Sequence, residues 1–219
     1  MRRQSFVRLC SLAAAAQFQA RLGGVAAAAE AKAFNRVQLV DGAGKPLSVR
    51  RLSVQEAYVF LYPYLGTPSF LIHLPAAAAA GAGPERTIVA FSAICAHQLS
   101  YPSKEGSPIT YSAENSAVAG RSGVIVCCAH NSVYDPAQGA KVVGGPAPQP
   151  LATIALEYDN KSGGLYATGV VGPDRFEQFF RAYAEELIAG YGRGQARRLA
   201  AGTAAAIPLS EYCHAPLHC

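Results

Sequence analysis

Hydrophobic and polar side chains alternate over residues 36–40 (Arg-Val-Gln-Leu-Val), the two-residue period of a half-buried strand. Residues 41–44 (Asp-Gly-Ala-Gly) read as a turn, and the strand pattern resumes over 46–49. Apolar, partly β-branched runs at 69–74, 87–91, 123–127, 151–158 and 164–167 predict further strands. Between them, 75–84 is an Ala/Gly-rich loop bounded by prolines and free of reactive side chains. Ser53-Val-Gln-Glu56 has the form of a capping box and predicts a short helical turn ended by Pro63. After Gly172 the period changes. Asp174 can cap a helix that sets Phe176, Phe179, Phe180, Tyr183, Leu187, Ile188 and Tyr191 on one face, with Gly190 and Gly192 closing it.

Composition agrees with strands and loops rather than a helix bundle. The 219 residues include 21 Gly and 14 Pro with no Trp, and the 51% hydrophobic content is inflated by alanine runs. That length suits one domain, with or without an inserted subdomain. The net charge of +5 suggests an acidic partner until its location is considered. Without Arg2, Arg3, Arg8, Arg21 and Glu30, 15 of the 19 basic and 13 of the 14 acidic residues remain, a balance of +2. The basic excess therefore belongs largely to the first 31 residues, and nucleic-acid binding gains no support.

Those residues read as an export signal. Arg2, Arg3 and Arg8 form a charged start, an Ala-rich apolar stretch follows over 9–18, and 25–31 offers A-x-A-like cleavage sites. The Arg2-Arg3 pair with Phe6 resembles a twin-arginine signal, although Phe6 lies one position late; an ordinary secretory signal is the plainer alternative. Gln17, Gln19 and Arg21 interrupt the apolar run, so cleavage is favoured over a retained anchor. The expected location is the periplasm or the outer face of a bacterial inner membrane, with membrane association only through the N-terminus or a partner.

Two short boxes carry the chemistry. The first is Cys95-Ala96-His97; the second is Cys127-Cys128-Ala129-His130, followed by Asn131-Ser132-Val133-Tyr134-Asp135-Pro136. In extended backbone, residues i and i+2 point the same way, so Cys95 and His97 can face one site from one loop. The second box offers C-x-x-H from another. Two thiolates and two imidazoles suit either a tetrahedral zinc or a [2Fe–2S] centre with mixed ligation.

The flanking residues resemble a known family. C-x-H, then C-x-x-H, then Ser132, Tyr134 and Asp135, are similar to the two cluster-binding boxes of Rieske proteins. The segment Gly144-Gly145-Pro146-Ala147-Pro148 resembles the Pro-containing loop that covers the cluster in the cytochrome bc-complex branch. The resemblance is firm over 87–156, weaker over 34–74 and absent from the last 45 residues. It implies a mainly β fold: a Rieske-type antiparallel β-sandwich over 32–171, an inserted cluster-binding subdomain near 92–148, and a C-terminal helix and tail over 172–219. It implies one [2Fe–2S] cluster held by Cys95, His97, Cys127 and His130, with Ser132 and Tyr134 donating hydrogen bonds to sulfur and Gly145, Pro146, Ala147 and Pro148 as the covering loop. Many quinol-oxidising members carry a disulfide between the boxes; its positions here are Ser100 and Ala129, so both partners are missing. The 29 residues of 98–126 are a longer spacer than the family leads one to expect, either a partner-docking surface or a tolerated loop.

The remaining thiols leave choices. Using Cys128 would give two C-A-H boxes, but the family's C-x-x-H selects Cys127 and leaves Cys128 free or structural. In an oxidising compartment, Cys213 and Cys219 are expected to pair, with a metal site including His214 and His218 as a minor alternative. His73 lies on an apolar strand and reads as structural.

By the resemblance the chain is a redox subunit of an oxidoreductase rather than a catalyst on its own. Its midpoint potential is expected to fall as pH rises, because the imidazoles lose protons more readily when the iron is oxidised. Three functions follow in order. The first is the iron–sulfur subunit of a quinol:cytochrome c oxidoreductase-like complex with cytochrome b or c partners, quinol included. The second is the small subunit of a periplasmic molybdenum oxidase such as arsenite oxidase, partnered by a molybdopterin subunit. The third is a zinc-stabilised binding module. A ring hydroxylase is disfavoured by the short chain and by the lack of a second two-His-one-carboxylate set.

Overall fold

A computed structural model of the chain describes residues 31–219, so the predicted export signal, all but Ala31, lies outside the described residues. The strands are β1 (Ala31–Val40), β2 (Ala57–Leu61), β3 (Pro68–His73), β4 (Ile88–Ser92), β5 (Ile109–Ser112), β6 (Val124–Cys127), β7 (Ser132–Asp135), β8 (Lys141–Gly144), β9 (Thr153–Tyr158), β10 (Leu165–Val171), β11 (Thr203–Ala205) and β12 (Ile207–Pro208). Helices α1 (Phe176–Ala182), α2 (Ala184–Tyr191) and α3 (Leu209–Tyr212) complete the order. The protein is mainly β, with a C-terminal helical extension.

The described strands form two sheets. The larger runs β11-β1-β10-β9-β4-β3-β2-β12 and the smaller β5-β6-β7-β8. All pairings are antiparallel except β1 with β11. Strands β11 and β12 are separated only by Ala206 yet sit at opposite ends of the large sheet, which therefore curls until its ends approach. The concave side holds Leu39, Phe60, Leu71, Ile88, Ile154 and Leu165. The other face of β2, β3 and β4 presents Val59, Phe70, Ile72, Val89 and Phe91 to the small sheet's Ile109, Ile125 and Tyr134. With both faces covered, these central strands read as continuous apolar runs rather than alternating ones.

The helical turn expected at 53–56 is not formed. Gln55 takes a left-handed φ of 62°, Glu56 accepts from the Tyr58 hydroxyl, and the chain enters β2 directly. Burial of alternate side chains, Tyr58 and Phe60 on one face with Ala57 and Val59 on the other, overrides the local capping signal. The expected helix over 174–191 is broken at Tyr183 into α1 and α2. Phe176, Phe179, Phe180 and Leu187 are buried as the spacing predicts, whereas Ile188 and Tyr191 remain exposed. Phe179 packs edge-on to Tyr101, in the segment that follows the first box, and Phe180 to Tyr64, between β2 and β3, which docks the extension against both. Among the described residues no helix is long and apolar enough to cross a membrane.

Candidate metal centre

The first box follows β4. Its loop is closed tightly: Cys95 N donates to Ser100 O at 2.8 Å, Leu99 N donates to Cys95 O at 3.0 Å, and Leu99 takes a φ of 64°. The second box is the hairpin between β6 and β7. Cys127 pairs with Ser132 at its base, and Asn131, at φ 59°, donates its N–H to Cys127 O at 2.7 Å. A hairpin this short turns Cys127 and His130 to one side, which is how C-x-x-H becomes a pair of convergent side chains. A third segment leaves β8 through Gly145, at φ +77°, where an added Cβ would lie 2.0 Å from Asn131 O. Only glycine lets the 145–148 loop approach the second box this closely.

The structure brings Cys95, His97, Cys127 and His130 together. The two sulfurs are fully buried. The His97 and His130 rings stand 5.0 Å apart at 80°. Both histidines are half-exposed, yet their Nδ1 atoms are buried without a protein partner, as is Ser132 Oγ. A buried polar atom left unpaired is costly, so three of them around a pair of thiols fit a site built to hold a group through nitrogen and sulfur. Among the described residues no three His, Cys, Asp or Glu side chains are grouped for a single metal ion. The donor set, two thiols and two imidazoles, suits a [2Fe–2S] centre with sulfur on one iron and nitrogen on the other as well as a tetrahedral zinc.

The two thiols differ in acidity. A hydrogen bond from Cys127 pulls Cys95 down against the opposing effect of burial, and the Tyr134 hydroxyl and the N–H groups of His97 and Gln98 add to it. The same sulfur–sulfur interaction and burial push Cys127 up. Tyr134 is held above its ordinary range by burial and by Cys95. Its hydroxyl lies 3.3 Å from Cys95 Sγ and 3.1 Å from Ala96 N. Asp135 shapes the end of β7: buried, it accepts from Ala137 N, Gln138 and Arg121.

The expected Cys213–Cys219 disulfide is not formed. Cys128 bonds Cys219, 91 residues away, and Cys213 is a free, buried thiol. The tail dictates this pairing. Leu209 and Cys213 are anchored in the core beneath the small sheet. Beyond them, His214 N donates to Lys104 O and Leu217 N to Ser107 O, which lays the tail along the 98–126 spacer and delivers Cys219 to the second box. Part of that spacer is thus covered by the chain's own tail. With Cys219 taken, the alternative metal site with His214 and His218 loses a ligand. His73 Nδ1 lies 2.9 Å from Leu52 O, a structural contact.

Two residues of the site have roles that the sequence did not show. Ser100 closes the first box by accepting from Cys95 N through its carbonyl at 2.8 Å, and Arg175 Nη1 donates to Ala96 O at 3.2 Å. A serine in a loop and an arginine before a helix look like solvated positions.

Two Cys/His loops, one leaving the large sheet after β4 and the other the β6–β7 hairpin of the small sheet, close on each other as in an iron–sulfur electron-transfer protein. The chain belongs to the Rieske family: residues 40–155, more than half of the 219, match the Rieske [2Fe-2S] domain. Its cofactor is one Rieske-type [2Fe–2S] cluster and its role is electron transfer. The chain is 32% identical over 124 residues to iodate reductase subunit IdrB of Denitromonas iodatirespirans, covering 56% of this chain and 59% of that protein. It is 32% identical over 127 residues to iodate reductase subunit IdrB of Pseudomonas sp. (strain SCT), covering 57% and 58%. The match thus spans under two thirds of each relative. Among solved structures, the soluble domain of Rieske protein II from Sulfolobus acidocaldarius is similar at a TM-score of 0.48 and 26% identity, covering 64% of this chain and 80% of that one.

Proposed function

We propose that Cys95 and Cys127 hold one iron of the cluster and His97 and His130 the other through their Nδ1 atoms, and that the chain is the electron-transfer subunit of an oxidoreductase of the iodate-reductase kind. The observation that carries the ligand assignment is the pair of imidazoles 5.0 Å apart with both Nδ1 atoms buried and unpartnered beside two buried thiols. When bound, the cluster supplies storage for one electron. The chain's own residues orient it, keep water from its sulfur side, and leave the outer edges of His97 and His130 at the surface as the exit. Ser132 and Tyr134 are placed to donate to sulfur, which favours the reduced form.

Of the assemblies the sequence left open, the molybdenum-enzyme type is favoured over a quinol:cytochrome c oxidoreductase. Its support is the likeness to two iodate reductase subunits. The lack of cysteine at Ser100 and Ala129 fits that choice, since the staple of quinol-oxidising members is missing. The partner is then a molybdopterin-bearing subunit. We also read residues 1–31 as an export segment and place the protein outside the inner membrane, which the Cys128–Cys219 disulfide supports because such bonds persist in oxidising compartments.

Electron paramagnetic resonance of the dithionite-reduced protein, with iron analysis, tests the ligand assignment. A signal of low average g and two irons per chain is expected, with a midpoint potential that falls as pH rises. Silence with bound zinc would overturn it. Affinity purification of the tagged chain from its host, followed by molybdenum analysis, tests the partner; co-purification with a b-type cytochrome instead would restore the quinol reading.

A further inference from the structure

Ala96 sits between Cys95 and His97, and both polar groups of this buried residue are gripped by side chains from elsewhere. Its N–H donates to the Tyr134 hydroxyl at 3.1 Å, and its carbonyl accepts from Arg175 Nη1 at 3.2 Å. Tyr134 belongs to the second box's own strand. Arg175 comes from the extension, at the entry to α1.

That entry is fixed from three sides. Lys32 Nζ pairs with Asp174 at 2.8 Å, Asp174 Oδ1 accepts from Phe176 N at 3.3 Å, and Gln149 Nε2 donates to Pro173 O at 3.2 Å. Gln149 directly follows Pro148, so first box, covering loop and helix meet at Arg175. Among the described residues Arg175 has no carboxylate partner within salt-bridge distance, and its Nε is buried and unpartnered. A half-buried guanidinium with one nitrogen buried and unpartnered and no carboxylate beside it is a costly arrangement for fold stability alone. Beside a centre that gains negative charge on reduction, it has an electrostatic use.

We propose that Arg175 is a positioning residue of the cluster: it clamps the first box through the Ala96 carbonyl and holds a fixed positive charge beside the cluster that favours the reduced form. This rests on the ligand assignment above. It gives the helical extension a task in electron transfer, since the helix sets the cation's place.

The test uses the full-length protein loaded with its cluster, as wild type, R175Q and R175K, with iron content, resonance spectrum and midpoint potential read for each. R175Q removes the charge while keeping a donor; its cluster is expected to bind the electron about tenfold less well, a fall of 59 mV for a one-electron couple. R175K, which keeps the charge, is expected within about threefold of wild type on the same scale. An R175Q protein with full iron and an unchanged midpoint overturns the proposal. So does an R175K midpoint as low as that of R175Q, which would leave shape rather than charge as the cause. If R175Q loads no iron, R175K decides: loading with a near-wild-type midpoint supports the charge, and a tenfold weaker electron affinity or failure to load overturns it. Wild-type protein without iron or signal would instead sink the ligand assignment, so the two failures are distinct.

Discussion

The Tyr134 hydroxyl is shared between the Ala96 N–H, which it accepts at 3.1 Å, and Cys95 Sγ, which it faces at 3.3 Å. Because the amide can only donate, it occupies an oxygen lone pair and leaves the hydroxyl proton free for sulfur. One side chain thus fixes the first box and polarises its thiolate. A phenylalanine there would fill the same buried volume without either bond.

Tyr134→Phe is therefore expected to have two separable effects. Loss of the donor to sulfur should lower the midpoint potential by ~60 mV, a tenfold change for one electron. The orphaned Ala96 N–H should lower stability by about 1–3 kcal/mol. Voltammetry and thermal unfolding of the loaded protein measure both. An unchanged potential would show that the hydroxyl does not donate to Cys95.

The Cys128–Cys219 bond ties the turn that carries His130 to a tail lying along the spacer. Cys219→Ser should lower stability by about 2–4 kcal/mol, the ordinary worth of such a link. Cys213→Ser should leave the bond intact. Non-reducing peptide mapping reads this directly. Recovery of a peptide joining residues 213 and 219 would contradict the pairing.

The boxes were legible because metal ligands need fixed residue types at short spacing, and strands β3, β4, β6, β9 and β10 because long apolar runs announce themselves. Strands β5, β7 and β8 were not: each breaks its short run with polar side chains or glycine, and Ser132–Asp135 looks like a polar turn until Tyr134 is seen buried between the sheets. Strand β2 was masked by a capping signal that tertiary burial overrode. The disulfide was misread because sequence proximity favoured Cys213, whereas the tail's hydrogen bonds to Lys104 and Ser107 decide which thiols meet. Arg175 is the most instructive omission, since its role exists only through the carbonyl of a residue 79 positions earlier.

Gly145 and Gly44 share a φ of +77°, but only at Gly145 would a Cβ strike backbone, 2.0 Å from Asn131 O; around Gly44 there is open space. Gly44→Ala should therefore cost only backbone strain, about 1 kcal/mol. Gly145→Ala should cost ~2 kcal/mol or more, push the covering loop off the second box and reduce iron content. Equal stability and equal iron in the two variants would show that the close approach at Gly145 is not required.

Phe179 is fully buried, with ring centroids 4.8 Å from Tyr101 and 5.3 Å from Tyr183. It joins α1 to the segment that follows the first box, so it should matter to both the fold and the site. Truncation to alanine is expected to cost about 3–5 kcal/mol. Ile188, 45% exposed on α2, should change by no more than ~0.5 kcal/mol when cut to alanine. If the extension is integral to the domain, Phe179→Ala should also speed amide exchange through 176–191 and free the Ala96 carbonyl from Arg175, lowering the midpoint potential in the loaded protein. Faster exchange confined to α1 and α2, with the potential untouched, would mean that the helices can loosen without disturbing the first box.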